Sequence, residues 1–303
     1  MIRAVVTALA LVLPGLGTAE TLQVQPVAKD IWAIIGETEQ RSPENLANNA
    51  SFGLIATPDG AVLIDPGGSW QGAEALHRVI RELTDQPVTH VINTGGQDHR
   101  WLGNGYWRAE GATIIASQAA VADQTARGTQ QMSALARFLG NALEGTEPAY
   151  ADITFEADHR LEIGGLRLDI TNPGPAHTPG DSFVWIEARD VMFSGDIVYV
   201  DRILGVGPQS NVRDWIDAFE VMAAHAPAHI VPGHGPVTDL DTARRDTLGY
   251  LRNLRARIGA VIETGGDIMD APGIDQSDWA YLKQFDSLAG RNAQTTYEQM
   301  EWE

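Results

Sequence analysis

The sequence predicts an α+β fold of two similar halves, with two β-sheets packed face to face and helices outside. A hairpin-helix-strand theme occurs twice, once before about residue 118 and again from about 152 to 235. Strand and helix patterns alternate along 303 residues with no sign of two separate cores. No repeat is short enough for a solenoid.

"TLQVQPVAKDIWAIIGE" and "SFGLIATPDGAVLIDPGG" are rich in β-branched and apolar residues, and Pro58-Asp59-Gly60 supplies turn chemistry that folds the second into a hairpin. Leu76, Val79, Ile80 and Leu83 recur at i, i+3, i+4 and i+7, an apolar stripe on a helix of about four turns that packs on the opening sheet. A strand follows at "VTHVIN", a helix around "AAVADQTARGTQQMSALARFLG", strands within "DITFEADHRLEIGGLRLDITN", and short apolar strands at "SFVWIE" and "VMFSG". A helix begins at Asn211, an N-cap with Asp214 three residues on, and shows Trp215, Ala218, Phe219 and Met222 on one face. "HIVPG" is the last strand, followed by a helix capped near Thr238. After Ile262 a loop-like segment leads to "WAYLKQFDSLAGRNAQTTYEQMEWE", which reads as a helical tail used for packing or an oligomer contact.

A composition of 44% hydrophobic and 20% charged residues is that of a folded globular protein. Residues 1–19 read as a signal peptide: Arg3 gives a positive start, "AVVTALALVLPGLG" an apolar run, and "GTA" ending at Ala19 a cleavage site. The run is short for a membrane span, which needs about 20 residues, so the mature chain is expected to begin near Glu20 with no span. Cysteine is absent, which leaves nitrogen and oxygen to hold any metal. A net charge of -19 makes nucleic acid and anionic membranes poor partners, because such a surface repels phosphate at long range.

Polar, glycine-flanked clusters follow apolar strands: "GGQDH" after "VIN", "NPGPAHTPGDS" after "LRLDIT", "SGD" after "VMF" and "PGHG" after "HIVP". Side chains at the carboxyl ends of neighbouring strands converge on one crevice. Asp98, His99, His177, Asp196 and His234 are therefore the candidate ligands, a set that suits zinc, iron or manganese. Each cluster alone is a weak signal. His77 reads as exposed, His159 as a turn residue, and His225 and His229 as residues preceding the final strand. Gly95-Gly96 as a phosphate loop is disfavoured, with no GxGxxG and no following Gly-Lys-Ser/Thr.

"PAHTPGDS" at 175–182, "FSGD" at 193–196, "VPGHG" at 231–235 and "DHRWLGN" after the first cluster resemble the metallo-β-lactamase superfamily of αββα-sandwich hydrolases. The resemblance spans roughly residues 22–262. It implies a four-layer αββα sandwich over residues 20–262 with residues 263–303 as a C-terminal helical tail. In that family the first strand ends in HxHxDH, and alignment on Asp98 and His99 places Thr94 and Gly96 where the first two histidines stand. Carried over, the first metal position keeps only His177, while the second uses Asp98, His99 and His234, with Asp196 available to the same ion. The resemblance thus implies one zinc-like ion (zinc, iron or manganese) and no second metal.

Such an ion would activate water toward an ester, thioester or amide of a small-molecule substrate, with Asp98 and His177 in the catalytic set. His177 would serve as general base or position substrate. Asp65 would hydrogen-bond a ligand from behind, or equally organise the "DPGG" turn. Tyr199, Asp201 and Arg202 would line the mouth or simply be solvated. The leader, the absent cysteines and "NTGGQDHRWLGN" look like the quinoprotein relay system zinc metallohydrolases, relatives of the H protein of sulfur-oxidation clusters. That narrower likeness implies the periplasm and association with a pyrroloquinoline-quinone dehydrogenase. The rival expectation is a non-catalytic binding or accessory module of the same fold.

Overall fold

The computed structural model describes residues 22–303, and the expected signal peptide lies outside the described residues. The first sheet contains, in spatial order, β1 (Gln23–Ala28), β2 (Ile31–Ile35), β3 (Ser51–Thr57), β4 (Gly60–Ile64), β5 (Val88–Ile92), β6 (Thr113–Ser117) and β7 (Ile153–Phe155). The second contains β8 (Asp158–Ile163), β9 (Leu166–Thr171), β10 (Phe183–Ile186), β11 (Val191–Tyr199) and β12 (His229–His234), again in chain order across the sheet. Among the described residues seven α-helices lie between and after the strands: α1 (Trp70–Leu83), α2 (Asn104–Ala109), α3 (Gln118–Leu139), α4 (Val212–Ala223), α5 (Leu240–Ala243), α6 (Gly249–Glu263) and α7 (Phe285–Met300).

Both sheets begin antiparallel and end parallel. Strands β1 to β4 and β8 to β11 pair as antiparallel neighbours, whereas β4–β5, β5–β6, β6–β7 and β11–β12 are parallel. A two-residue turn suffices for the first kind, and Pro58-Asp59 provides one between Thr57 and Gly60, where Gly60 takes φ 128°. Parallel pairs need a crossover long enough to return the chain, which α1, α2, α3 and α4 provide. The sequence shows the difference, since β4 is apolar or glycine and buried throughout and β11 is buried throughout with Asp196 its charged member, while β8 and β9 alternate.

Ile31, Ile55 and Ile92 of the first sheet meet Leu168, Ile170 and Phe193 of the second in an inter-sheet core. On the outer side of the first sheet, Leu76 and Ile80 of α1 and Trp107 of α2 cover Leu54 and Leu63. Beyond the second, Trp215, Phe219 and Met222 of α4 join Leu251 and Leu254 of α6 and Leu288 of α7. Helix, sheet, sheet and helix form the four layers expected, with the C-terminal helices added to the outer layer.

Several elements differ from the sequence reading. Helix α1 does not, since its 14 residues from Trp70 to Leu83 are the roughly four turns expected, with the Ser69 side chain accepting from Gly72 N to cap it. Asp239 caps α5, since Thr238 is held in a bridge to Ile230. His159 lies within β8 rather than a turn, and His229 opens β12 rather than preceding it. His77 is half-buried, with Nδ1 2.7 Å from the Tyr106 hydroxyl. The tail becomes helical only at Phe285: Gln284 takes φ 63°, and Trp279 is drawn aside by its indole N–H donating to Arg245 O. Among the described residues no helix is long and apolar enough to cross a membrane.

Asn211 caps α4 by accepting from Asp214 N, and Trp215 then enters the core fully buried, its Nε1 donating to Ile197 O. Trp215→Ala should cost about 3–5 kcal/mol in urea unfolding, through the cavity and the unpaired Ile197 carbonyl.

Candidate metal centre

The site lies where the two sheets bring their strand ends together. Beyond β5 the chain runs through Asn93–Gln97 into a short turn, Asp98–Arg100; Asp196 lies within β11, His234 ends β12, and His177 sits between β9 and β10. Two glycines allow this crowding. Gly195 has φ 51°, and a Cβ there would come 2.4 Å from Thr94 Oγ1. At Gly233 a Cβ would stand 2.6 Å from Asp196 Oδ1 and 2.7 Å from Arg100 Nη2.

His99, Asp196 and His234 converge, each buried, with one ligand atom from each lying within 4.8 Å of the others. His99 Nε2 is 3.3 Å from Asp196 Oδ2 and His234 Nε2 is 3.4 Å from Asp196 Oδ1. Burial alone would raise the Asp196 carboxyl, but Arg100, His99 and hydrogen bonds from both imidazoles outweigh it and hold Asp196 well below the usual range. Burial pushes His234 well below its usual value despite Asp196, so its ring is neutral at pH 7.

Asp98 does not join that group. Its carboxylate accepts a two-pronged contact from Arg41, with Nε at 2.5 Å from Oδ2 and Nη2 on Oδ1. Burial opposes the charge, yet Arg41 and His99 hold Asp98 well below the usual carboxylate range. Asp98 Oδ1 is also 3.3 Å from His99 Nδ1, the nitrogen opposite the one facing Asp196. Arg41 Nη2 stands 3.2 Å from the same nitrogen and the His99 backbone N donates to Asp98 Oδ1 at 3.0 Å, so Asp98 and Arg41 together suit orienting His99 from behind rather than the ligand role expected of Asp98.

Thr94 and Gly96 are engaged otherwise. Thr94 donates from N and Oγ1 to the two oxygens of Asp65, 2.8 Å each. A Cβ at Gly96 would meet Asp123 Oδ2 at 1.9 Å, so the space beside it belongs to Asp123, itself paired with Arg127. Asp65 does reach the site from behind, but through Arg100 and not through a histidine: Arg100 Nη1 donates to Asp65 Oδ2 at 2.8 Å and Nη2 to Asp196 Oδ1 at 2.6 Å.

His177 lies outside the converging three. Its Nδ1 donates to Gly205 O at 3.0 Å, leaving Nε2 without the proton, and its ring packs near Tyr199 and Trp215. Burial pushes it down to about 4 despite the attraction of Asp196, which moves its titration out of the working range expected for it. Tyr199 stacks on His234 with ring centroids 4.5 Å apart, and burial then Asp196 push its phenol well above the usual value. Arg202 is buried too, with Nη1 3.0 Å from His234 Nδ1, whereas Asp201 is exposed and pairs with Lys283.

Residues 47–234 match the family model described as the metallo-beta-lactamase superfamily. The chain belongs to that superfamily. A metallo-beta-lactamase type 2 from Bacillus cereus is 23% identical over 223 residues, covering 72% of this chain and 78% of that protein. A metallo-beta-lactamase from Pontibacter korlensis superposes with TM-score 0.62 at 22% identity, covering 77% of this chain and 99% of that one. DIM-1 metallo-beta-lactamase superposes with TM-score 0.57 at 16% identity, covering 75% and 95%. Superfamily members typically bind metal ions, and the chain has a His/Asp/His cluster to offer.

Three ligands of nitrogen and oxygen, buried and mutually within 4.8 Å, fit one small divalent ion with a coordination place left over. Arg202 donating to His234 Nδ1 leaves the one proton of the neutral ring on Nε2, which points at Asp196, so holding an ion through Nε2 would require that proton to move to Nδ1 and Arg202 to give up its hydrogen bond there.

The sequence reading missed Arg41 and Arg100. Arg100 has no exposed surface and also donates to Ser51 O and Gly233 O. The one hint was an arginine beside the otherwise apolar Trp101 and Leu102.

Replacing Arg100 by Ala strands two buried carboxylates and should cost about 3–5 kcal/mol by urea unfolding. His177 has a depressed folded pKa, so its contribution is fully present above its unfolded value near about 6.5 and is lost as pH falls toward about 4. The stability of His177→Gln should therefore decline less steeply over that window than that of the unsubstituted chain.

Proposed function

We propose that the protein is an exported hydrolase that uses a single zinc-like ion held by His99, Asp196 and His234, with Asp98 orienting His99. The observation that carries this reading is the convergence of those three buried side chains at adjoining strand ends, with one carboxylate held ionised and one imidazole held neutral. An ion there supplies a Lewis acid and a lowered water pKa near neutral pH. The substrates that suit such chemistry are esters, thioesters and amides. In this reading Thr94 and Gly96 stand in place of two family histidines, which leaves no second metal position.

The chain's own groups then divide the remaining work. His177 presents an unprotonated Nε2 at all pH values well above about 4, which suits it to accept a hydrogen bond from a substrate or an attacking water and to orient it. Tyr199 keeps its hydroxyl proton and lines the same cavity as His99 and His234, so it is a donor for a developing oxyanion. The leader-like residues 1–19 support a periplasmic location.

One observation favours a second reading. Arg41 grips Asp98, and Arg202 donates to His234, so two guanidinium groups already supply positive charge at the site. A non-catalytic accessory protein that binds an exported quinoprotein dehydrogenase, as in the quinoprotein relay branch, would need no more than that.

Metal analysis by plasma mass spectrometry separates the two. The hydrolase reading expects about one equivalent of zinc, iron or manganese per chain, lost in His234→Ala, together with metal-dependent cleavage of p-nitrophenyl acetate or a thioester that Asp98→Asn lowers at least tenfold. No uptake of any of these ions by the full chain would remove it in favour of the accessory reading.

A further inference from the structure

Between β11 and α4, residues 200–211 form neither helix nor strand apart from one bridge at Arg202, yet Ile203, Leu204, Val206 and Ser210 are buried. A buried loop cannot leave its backbone N–H and C=O groups to water, so other elements must supply their partners. The C-terminal segment supplies them here. Lys283 donates from N to Asp201 O and accepts from Ile203 N, 3.0 Å each. Asn292 of α7, with no exposed surface, then donates from Nδ2 to Leu204 O and accepts at Oδ1 from Val206 N, 2.8 Å each. Gln299, seven residues on and therefore on the same helix face, repeats the pattern: Nε2 donates to Ser210 O at 2.8 Å and Oε1 accepts from Val212 N at 3.0 Å.

The amide of Asn292 has a single workable orientation, because a backbone N–H only donates and a carbonyl only accepts. Its Nδ2 also lies 3.2 Å from the Tyr250 hydroxyl, which gives its own proton to Gln276 Oε1 at 2.7 Å. Every member of this buried network has a partner, which makes it stiff. It is also a property of this chain's flank, since residues 283–299 lie beyond the 47–234 matched by the family model.

The two amides frame His177. Gly205 stands between the two residues that Asn292 holds, and its carbonyl accepts from His177 Nδ1 at 3.0 Å. Ser210, whose carbonyl Gln299 holds, donates from Oγ to His177 O at 2.9 Å. Among the described residues Gly205 O is the one hydrogen-bond partner of the His177 ring; Trp215 beside it offers a ring face, its own N–H being spent on Ile197 O.

We infer that Asn292 and Gln299 are positioning residues for His177. By clamping residues 204–212 they hold the Gly205 carbonyl where it anchors Nδ1, which fixes the ring at the cavity that His177 shares with His99, His234 and Leu288 of α7. As a contribution to turnover this rests on the hydrolase reading; as a constraint on His177 it needs no metal.

The test is solvent exchange of the His177 Nδ1–H, read by long-range proton–nitrogen NMR on the full mature chain, labelled with nitrogen-15 and stripped of metal with EDTA. Loss of the signal in His177→Gln assigns it. Asn292→Leu, which keeps the volume and removes both loop bonds, should speed exchange at least about tenfold with an unchanged circular dichroism spectrum. Gln299→Met, at a half-buried position, should speed it about threefold, and carries the test alone if Asn292→Leu does not fold. Tyr297→Phe removes a different α7 contact, the 3.1 Å bond to Gly266 O, and should leave the signal unmoved. Unchanged exchange in Gln299→Met or in a folded Asn292→Leu, equal acceleration in Tyr297→Phe, or no protected His177 signal at all overturns the inference. A protected signal released by these variants in a chain that takes up no metal keeps the inference and removes the hydrolase reading, whereas metal uptake with the signal unmoved in both does the reverse.

Discussion

The buried guanidinium of Arg100 is the interaction on which the candidate centre depends. It sits with no exposed surface between the two sheets and joins Asp65, just past β4, to Asp196 on β11, with carbonyl contacts to Ser51 and Gly233. Two carboxylates facing a dry interface compete for one cation, and burial, helped by Asp196, pushes Asp65 above the usual carboxylate range despite Arg100 and Thr94, while Arg100 holds Asp196 ionised against the effect of burial. Glycine at 195 and 233 is the geometric counterpart, since a side chain at 233 would collide with Asp196 and Arg100 and one at 195 with Thr94, which holds Asp65.

Much of the architecture was legible because periodicity and turn chemistry agree. The stripe at Leu76, Val79, Ile80 and Leu83, the Asn211 cap with Trp215 on its inner face, and the apolar start of β11 each dictate one burial pattern, and the structure has those patterns, although β11 runs on past the expected "VMFSG" through Asp196 to Tyr199. Where reading failed, local signals were overridden by tertiary partners. His159 looks like a turn residue between Asp158 and Arg160, but pairing with β9 draws it into a strand. Residues 279–284 look helical, but Trp279 is pulled aside by Arg245 and Gln284 turns left-handed.

The candidate site shows the same division. Histidines and aspartates at glycine-flanked strand ends can be found by pattern, and three of them do meet. Which partner each takes cannot be found that way, because Arg41 lies 57 positions from Asp98 and nothing in the intervening sequence announces their contact. Arginine is also the residue type most readily dismissed as solvated, so a fully buried Arg100 and a nearly buried Arg202 were hidden among ordinary surface charges.

Helix α7 packs on α6 and on the outer core of the second half, yet it also ends its inner face in the wall of the cavity. Its residues are constrained by packing on one side only. Substitutions at the cavity-facing turn can therefore reshape what the crevice admits without disturbing the strand ends where His99, Asp196 and His234 meet. Selection could act on this peripheral helix, leaving the costly buried ionic centre untouched, so the shape of the crevice and the make-up of the centre are free to diverge at different rates.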